Sequence, residues 1–165
     1  MTTITLTADQ EAASDAFFKF LNSEEKVFVL TGGAGCGKST LVNYLLERLP
    51  KFMQLMHGLN PEYPDYTVMV TATTNKACEA LQEQIACCHD VSTIHSTLRL
   101  VVFTDYKTKK VELVQKSNEI FSNYIVFVDE AGFVDHKLKR IIESRFVKSK
   151  IIYLGDADQL VPVGN

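Results

Sequence analysis

The chain has 165 residues, 46% of them apolar, which suits one domain with a packed core and excludes a disordered chain. Charged residues make up 22%, and 17 basic against 20 acidic side chains leave a net charge of −3. That balance does not advertise a nucleic-acid binder, but it does not exclude one, because local patches set the field in a groove.

Ala12 to Leu21 places Ala13, Phe17, Phe20 and Leu21 at helical spacing, so it reads as an amphipathic helix. Lys26 to Leu30 is a short, β-branched apolar run, a buried strand. A glycine-rich stretch follows, then a helix from Thr40 to Leu49 that should stop before Pro50. Lys51 to Tyr66, with Gly58, Pro61 and Pro64, has no clean period and reads as a long loop with room for a helical turn at Phe52 to Met56. Thr67 to Thr71 is a second strand. Asn75 to Cys87 is a helix with Ala77, Ala80, Leu81 and Ile85 on one face. Val91 to Leu98 reads as a turn entering a helix. Leu100 to Phe103 and Val111 to Val114 are β-prone runs around a polar, basic tip, Thr104 to Lys110, and predict a hairpin. Tyr124 to Val128 is a third strand, Lys137 to Phe146 a helix and Ile151 to Leu154 a fourth strand. Strands alternating with helices predict an α/β fold with a parallel sheet flanked by helices and a small inserted hairpin. Three of the strands run straight into Gly, Asp or Glu, so functional residues should gather at the carboxyl edge of the sheet.

The four cysteines, Cys36, Cys78, Cys87 and Cys88, form no C-x-x-C pair. Cys87, Cys88 and His89 make a poor metal set, and a reduced, intracellular chain is the plainer reading. No apolar run reaches bilayer length. Met1 to Gln10 lacks the basic and apolar regions of a secretory signal, so a cytoplasmic chain without a membrane partner is expected.

The strongest chemical signal is Gly32-Gly33-Ala34-Gly35-Cys36-Gly37-Lys38-Ser39, a full match to G-x-x-x-x-G-K-[ST]. A loop that wraps phosphate with backbone N–H groups has no room for side chains, and glycine permits its dihedrals. Lys38 is expected to reach the β- and γ-phosphates of ATP, and the Ser39 hydroxyl to ligate Mg²⁺. The following helix presents its positive end to the anion. Cys36 reads as a small space-filling residue of the loop.

The strand Tyr124-Ile125-Val126-Phe127-Val128 ends in Asp129-Glu130. Nucleotide-bound Mg²⁺ needs a hard oxygen ligand, and Asp129 suits that role. Glu130 suits a general base for the attacking water. A second carboxylate beside the first favours hydrolysis over transfer to an acceptor, so a small P-loop kinase is the weakest alternative. Gly155-Asp156-Ala157-Asp158-Gln159 ends the fourth strand, and Gln159 suits a sensor of the γ-phosphate.

The ordered set GGAGCGKST, TATTNKA, STIHS, VDEAG and GDADQLVPV resembles the RecA-like first motor domain of superfamily-one DNA helicases, nearest the RecD-like, Dda-like group, over Leu6 to Val163. The resemblance implies ATP-driven movement on single-stranded DNA, 5′ to 3′, in the host cytoplasm if the chain is phage-encoded. It implies that Gln10 contacts adenine, and that Gly33, Ala34, Gly35, Cys36, Gly37, Lys38, Ser39 and Thr40 hold ATP and Mg²⁺. Asp129, Glu130 and Gln159 would act with Lys38 in catalysis, with Ser39 and Asp129 on the metal. Thr73, Thr74, Asn75, Thr93 and His95 would contact DNA. The hairpin, residues 99–116, falls where the group inserts a pin. There Phe103 or Tyr106 would stack on a base, and Lys107, Lys109 and Lys110 would meet phosphates. Two positions depart from the pattern: Gly132 stands where a hydroxyl is usual, and Val161 where a proline is common.

The family's enzymes use a second RecA-like domain that supplies a transition-state arginine. Arg48, Arg99, Arg140 and Arg145 lie in no such motif, and Arg140 and Arg145 read as a solvated helix face. The expectation is therefore an excised or naturally short first domain that binds ATP–Mg²⁺ weakly and hydrolyses it slowly or not at all. A solitary ATP-binding regulatory module is the alternative.

Overall fold

The computed structural model describes residues 6–31, 38–85 and 89–155. In chain order its elements are α1 (Ala8–Leu21), β1 (Val27–Thr31), α2 (Lys38–Leu59), β2 (Thr67–Ala72), α3 (Asn75–Gln84), β3 (Val91–Thr93) and α4 (Ile94–Leu98). Then follow β4 (Leu100–Thr104), β5 (Val111–Gln115), β6 (Phe121–Ser122), β7 (Tyr124–Asp129), a 3₁₀ turn (Ala131–Phe133), α5 (His136–Arg145), β8 (Phe146–Val147) and β9 (Lys150–Gly155).

The main sheet has five strands in the order β1-β9-β7-β2-β3, and every neighbouring pair is parallel. Successive side chains of a strand point to opposite faces, and here both faces are apolar. Leu30, Val70, Ile125, Phe127, Ile152 and Leu154 pack with α1, α2 and α3. Val126, Val128, Ile151 and Tyr153 pack with α4 and α5 on the other side. This three-layer α/β/α arrangement is the predicted fold class, and it explains why the central strands read as continuous apolar runs.

α1 begins earlier than its apolar period suggested. Thr7 and Gln10 form a reciprocal capping box, with the Thr7 N–H donating to Gln10 Oε1 at 2.9 Å and the Gln10 N–H donating to Thr7 Oγ1 at 3.2 Å. At the other end of α1, Lys150 is buried at the start of β9. Its Nζ donates to the carbonyls of Phe20, Ser23 and Glu25 and lies 4.8 Å from the Phe20 ring. Burial pushes this ammonium below the usual lysine range, with Glu25 opposing. A lysine is well suited here because its three donors meet carbonyls left open at a helix end.

Two local expectations are corrected. α2 does not stop before Pro50 but runs on to Leu59, so the stretch read as a loop is helical from Lys51 to Leu59. Pro50 removes one helical hydrogen bond at a cost of about 3 kcal/mol. Leu41, Val42, Leu45, Leu46 and Leu49 are buried, and Phe52 and Met53 continue that face into the same core, with Phe52 4.8 Å from the Phe18 ring. Burial of that face outweighs the proline penalty. Because Pro50 is exposed, Pro50→Ala is expected to raise stability by about 1–2 kcal/mol, the regained helix term less the unfolded-chain entropy that proline removes. Denaturant unfolding would show this as a higher midpoint, and a lower midpoint would mean that the ring contributes packing. The second correction is β3. Val91–Thr93, read as a turn, pairs in parallel with Val70–Ala72 at the sheet edge. α3 also ends sooner than expected, at Gln84, with Ile85 extended and its N–H bonded to the Leu81 carbonyl.

The hairpin forms as predicted. β4 and β5 pair antiparallel from Leu100↔Gln115 to Thr104↔Val111. Its tip is closed by Asp105: the Asp105 N–H donates to the Lys110 carbonyl, its own carbonyl accepts from Lys109, and its carboxylate accepts from the Lys107 N–H. The bond from the Lys107 N–H, then those from the Thr108 side chain and backbone, hold the Asp105 carboxyl below the usual range.

Candidate functional site

The parallel register brings chemically active residues to the carboxyl edge of the sheet. Thr31 ends β1 beside Gly155 of β9, and Asp129 ends β7 beside Ala72 of β2, which in turn faces Thr93 of β3. α2 starts at Lys38, so the segment 32–37 joins the end of β1 to the start of that helix. Gly33, Ala34, Gly35, Cys36 and Gly37 lie outside the described residues, as does Gln159.

Lys38 Nζ lies 2.9 Å from Asp129 Oδ1. Asp129 is only 7% exposed, and the same oxygen accepts the Glu130 N–H at 2.9 Å. Ser39 and Thr40 follow Lys38 in the first turn of α2, half-buried and exposed respectively. Of the residues expected to hold phosphate and metal, Lys38 and Asp129 meet: an ammonium from the first turn of α2 pairs with a buried carboxylate at the end of β7. This donor set fits a magnesium–triphosphate, whose metal takes hard oxygens and whose phosphates take an ammonium.

Glu130 has φ 55° and ψ 47°, left-handed backbone that costs a residue with a Cβ about 1 kcal/mol or more. Three hydrogen bonds hold it there. Its N–H reaches Asp129, and its carbonyl accepts from the Thr73 hydroxyl at 2.9 Å and from the Phe133 N–H at 3.2 Å.

The hydroxyls expected at DNA have partners within the chain. Thr73 is 9% exposed, and its O–H is committed to Glu130. Thr74 Oγ1 caps α3 by accepting the Ala77 N–H at 3.0 Å, and Thr93 Oγ1 caps α4 by accepting the Ser96 N–H at 3.0 Å. Both capping hydroxyls keep their own hydrogen as a donor. Asn75 is exposed at the start of α3. His95 is half-buried; burial draws its imidazole below the usual range, against Asp135, which raises it. Gln10 has its carboxamide oxygen in the capping box.

Phe103 is exposed on the hairpin with Val101, Val102 and Val111, and Tyr106 at the tip is 93% exposed. Arg140 is exposed, as a solvated helix face requires. Arg145 corrects that reading: it is 3% exposed. Its Nε donates to the Glu119 carbonyl, and its Nη1 donates to the Leu98 carbonyl and Gln115 Oε1, each at 3.2 Å. Leu98 and Gln115 flank the hairpin root, so Arg145 ties the hairpin to α5. The signal was present in the sequence, since Leu138, Ile141, Ile142 and Arg145 share one helical stripe.

A parallel sheet flanked by helices, with a lysine and a carboxylate meeting at its carboxyl edge behind a phosphate-loop sequence, defines a P-loop ATPase domain. A family model described as AAA domain matches residues 15–165, and the chain belongs to that family. Among solved structures, the chain is similar to the SWI2/SNF2 ATPase core of Sulfolobus solfataricus in complex with dsDNA. The TM-score is 0.53 at 15% identity, over 93% of this chain and 32% of that one. A second similarity is to the HK97 bacteriophage large terminase, with TM-score 0.44 at 14% identity, over 94% of this chain and 34% of that one. The chain thus spans about a third of the length of these structures. No curated protein matches. No helix among the described residues is long and apolar enough to cross a membrane.

Proposed function

We propose that the chain is the nucleotide-binding motor domain of a RecD-like, Dda-like superfamily-one DNA helicase, which moves 5′ to 3′ on single-stranded DNA when joined to a second RecA-like domain. The observation that carries this reading is the 2.9 Å pair between Lys38 and Asp129, at the start of α2 and the end of β7. In this reading Gln10 meets adenine, and residues 33–37 with Lys38, Ser39 and Thr40 hold the phosphates of ATP. Ser39 and Asp129 hold Mg²⁺, which supplies charge neutralisation at the β- and γ-phosphates. Glu130 accepts a proton from the attacking water, and Gln159 senses the γ-phosphate.

Nucleic-acid binding is supported by the dsDNA complex of the SWI2/SNF2 core and by the order of the motifs. Thr93 ends β3, and Thr74, Asn75 and His95 follow the carboxyl ends of β2 and β3, where a strand crossing the sheet edge would pass. The hairpin acts as a pin: Phe103 and Tyr106 stack on bases, and Lys107, Lys109 and Lys110 neutralise phosphates.

Titration with ATP–Mg²⁺ and steady-state ATPase assays, each with and without single-stranded DNA, test the reading. The wild-type chain is expected to bind nucleotide and Lys38→Ala to lose affinity about tenfold or more, since a charge-assisted contact to phosphate is removed. Equal affinity in the two proteins would sink the proposal. Strand displacement by the chain alone would contradict the need for a second domain.

A further inference from the structure

We propose that Thr73 is a positioning residue for Glu130, not a ligand contact: its hydroxyl holds Glu130 in the left-handed turn beside Asp129. The inference deepens the hydrolytic reading above and rests on it for its effect on turnover. Glu130 has φ 55°, and a glutamate leaves this region when its restraints are removed.

The restraint from the core comes through β2. Thr71 Oγ1 donates to the Phe127 carbonyl at 2.7 Å, the Thr73 N–H to the Asp129 carbonyl at 3.2 Å, and Thr73 Oγ1 to the Glu130 carbonyl at 2.9 Å. β2 thus follows β7 beyond its last ladder pair, Ala72↔Asp129, and the Thr73 hydroxyl forms the final rung. The other acceptor bond to Glu130, from the Phe133 N–H, comes from the same turn and cannot fix that turn against the sheet.

A threonine hydroxyl has one hydrogen. At 9% exposure that hydrogen is spent on Glu130, which argues against Thr73 as a phosphate contact. Thr73 also adjoins Thr74, whose side chain caps α3, and Asn75, exposed at the start of that helix. A ligand that shifts this loop therefore shifts the turn carrying Glu130. The link runs through one hydrogen bond, without any contact between ligand and carboxylate.

The test compares Thr73→Val, which keeps shape without the hydroxyl, with Thr73→Ser, which keeps the hydroxyl. In isotope-labelled full chain, the strong intraresidue amide–Hα NOE that marks positive φ is read at Glu130. Single-turnover ATP hydrolysis and affinity for a single-stranded oligonucleotide are measured alongside. Thr73→Ser is expected to match wild type. Thr73→Val is expected to lose the positive-φ signature and slow hydrolysis about five- to tenfold, the worth of one hydrogen bond in a two-state equilibrium. Its ATP and oligonucleotide affinities should stay unchanged, which a general loss of structure would not allow. If valine disrupts folding, Thr73→Ala carries the same comparison. A retained positive-φ signature in the hydroxyl-free variant overturns the proposal, as does a loss of oligonucleotide affinity with Glu130 unmoved. If wild type hydrolyses no ATP, the hydrolytic reading fails on its own, and the Glu130 signature still decides whether Thr73 holds the turn.

Discussion

Glu130→Gln is expected to slow single-turnover hydrolysis of ATP by about a hundredfold or more while leaving ATP affinity near that of wild type. General-base assistance contributes on the order of 10²–10⁴-fold, and the amide removes the base without changing side-chain size. The local structure gives the variant no reason to unfold. The bonds that hold residue 130 are made by its backbone N–H and carbonyl, which glutamine retains. The Lys38–Asp129 pair does not involve the changed group, so the cation that meets phosphate and the carboxylate that meets the metal stay in place. The contrast with Lys38→Ala separates chemistry from binding: one variant should keep nucleotide without turning it over, the other should fail to hold it. Rapid-quench measurement with γ-labelled ATP and a parallel binding titration read the two quantities. Hydrolysis at the wild-type rate would remove Glu130 from the base role, and a matching fall in affinity would assign it to nucleotide binding.

How far the site could be read before folding depended on the range of the interactions. β7 and β9 were legible because strands buried on both faces leave apolar runs, β1 and β2 because their β-branched runs are short and apolar, and the ends of β1, β7 and β9 were marked by Gly, Asp or Glu. Lys38 and Asp129 could be paired by type of chemistry, the one opening α2 and the other ending β7. β3 was not legible: Val91–Thr93 is too short to show a period and exists through its ladder with β2. The rule that proline stops a helix failed at Pro50 because burial of Leu49, Phe52 and Met53 is a tertiary term that no local propensity contains. The capping signals at Thr7-Gln10, Thr74 and Thr93 were local and available. The bond between Thr73 and Glu130 joins residues 57 positions apart. It becomes visible only once the register of β2 against β7 is fixed.

Arg145→Leu is expected to destabilise the chain by about 2–4 kcal/mol and to loosen the hairpin before the sheet. Among the described residues no carboxylate pairs with Arg145, so its burial is compensated by neutral acceptors, the carbonyls of Leu98 and Glu119 and the side chain of Gln115. Its Nη2 is buried without a hydrogen-bond partner among the described residues. Leucine relieves the desolvation of the guanidinium but takes the donor from three acceptors; that of Leu98 is buried, and an unmet buried group costs about 1–3 kcal/mol. The losses exceed the relief, although an apolar replacement softens them. The acceptors flank the root of the hairpin, whereas the strands of the main sheet are tied by their own ladders. Amide exchange should therefore accelerate first in β4, β5 and residues 116–120, with β7 and β9 protected. Arg145→Lys should not restore the hairpin, because a single ammonium lacks the planar fork that meets acceptors on separate segments. If the pin role of the hairpin holds, a loosened root also lowers the precision with which Phe103 and Tyr106 are presented. Oligonucleotide affinity should then fall in Arg145→Leu with ATP affinity unchanged. A leucine variant with wild-type stability and unaltered hairpin exchange would show that the strand pairing of β4 with β5 holds the root unaided.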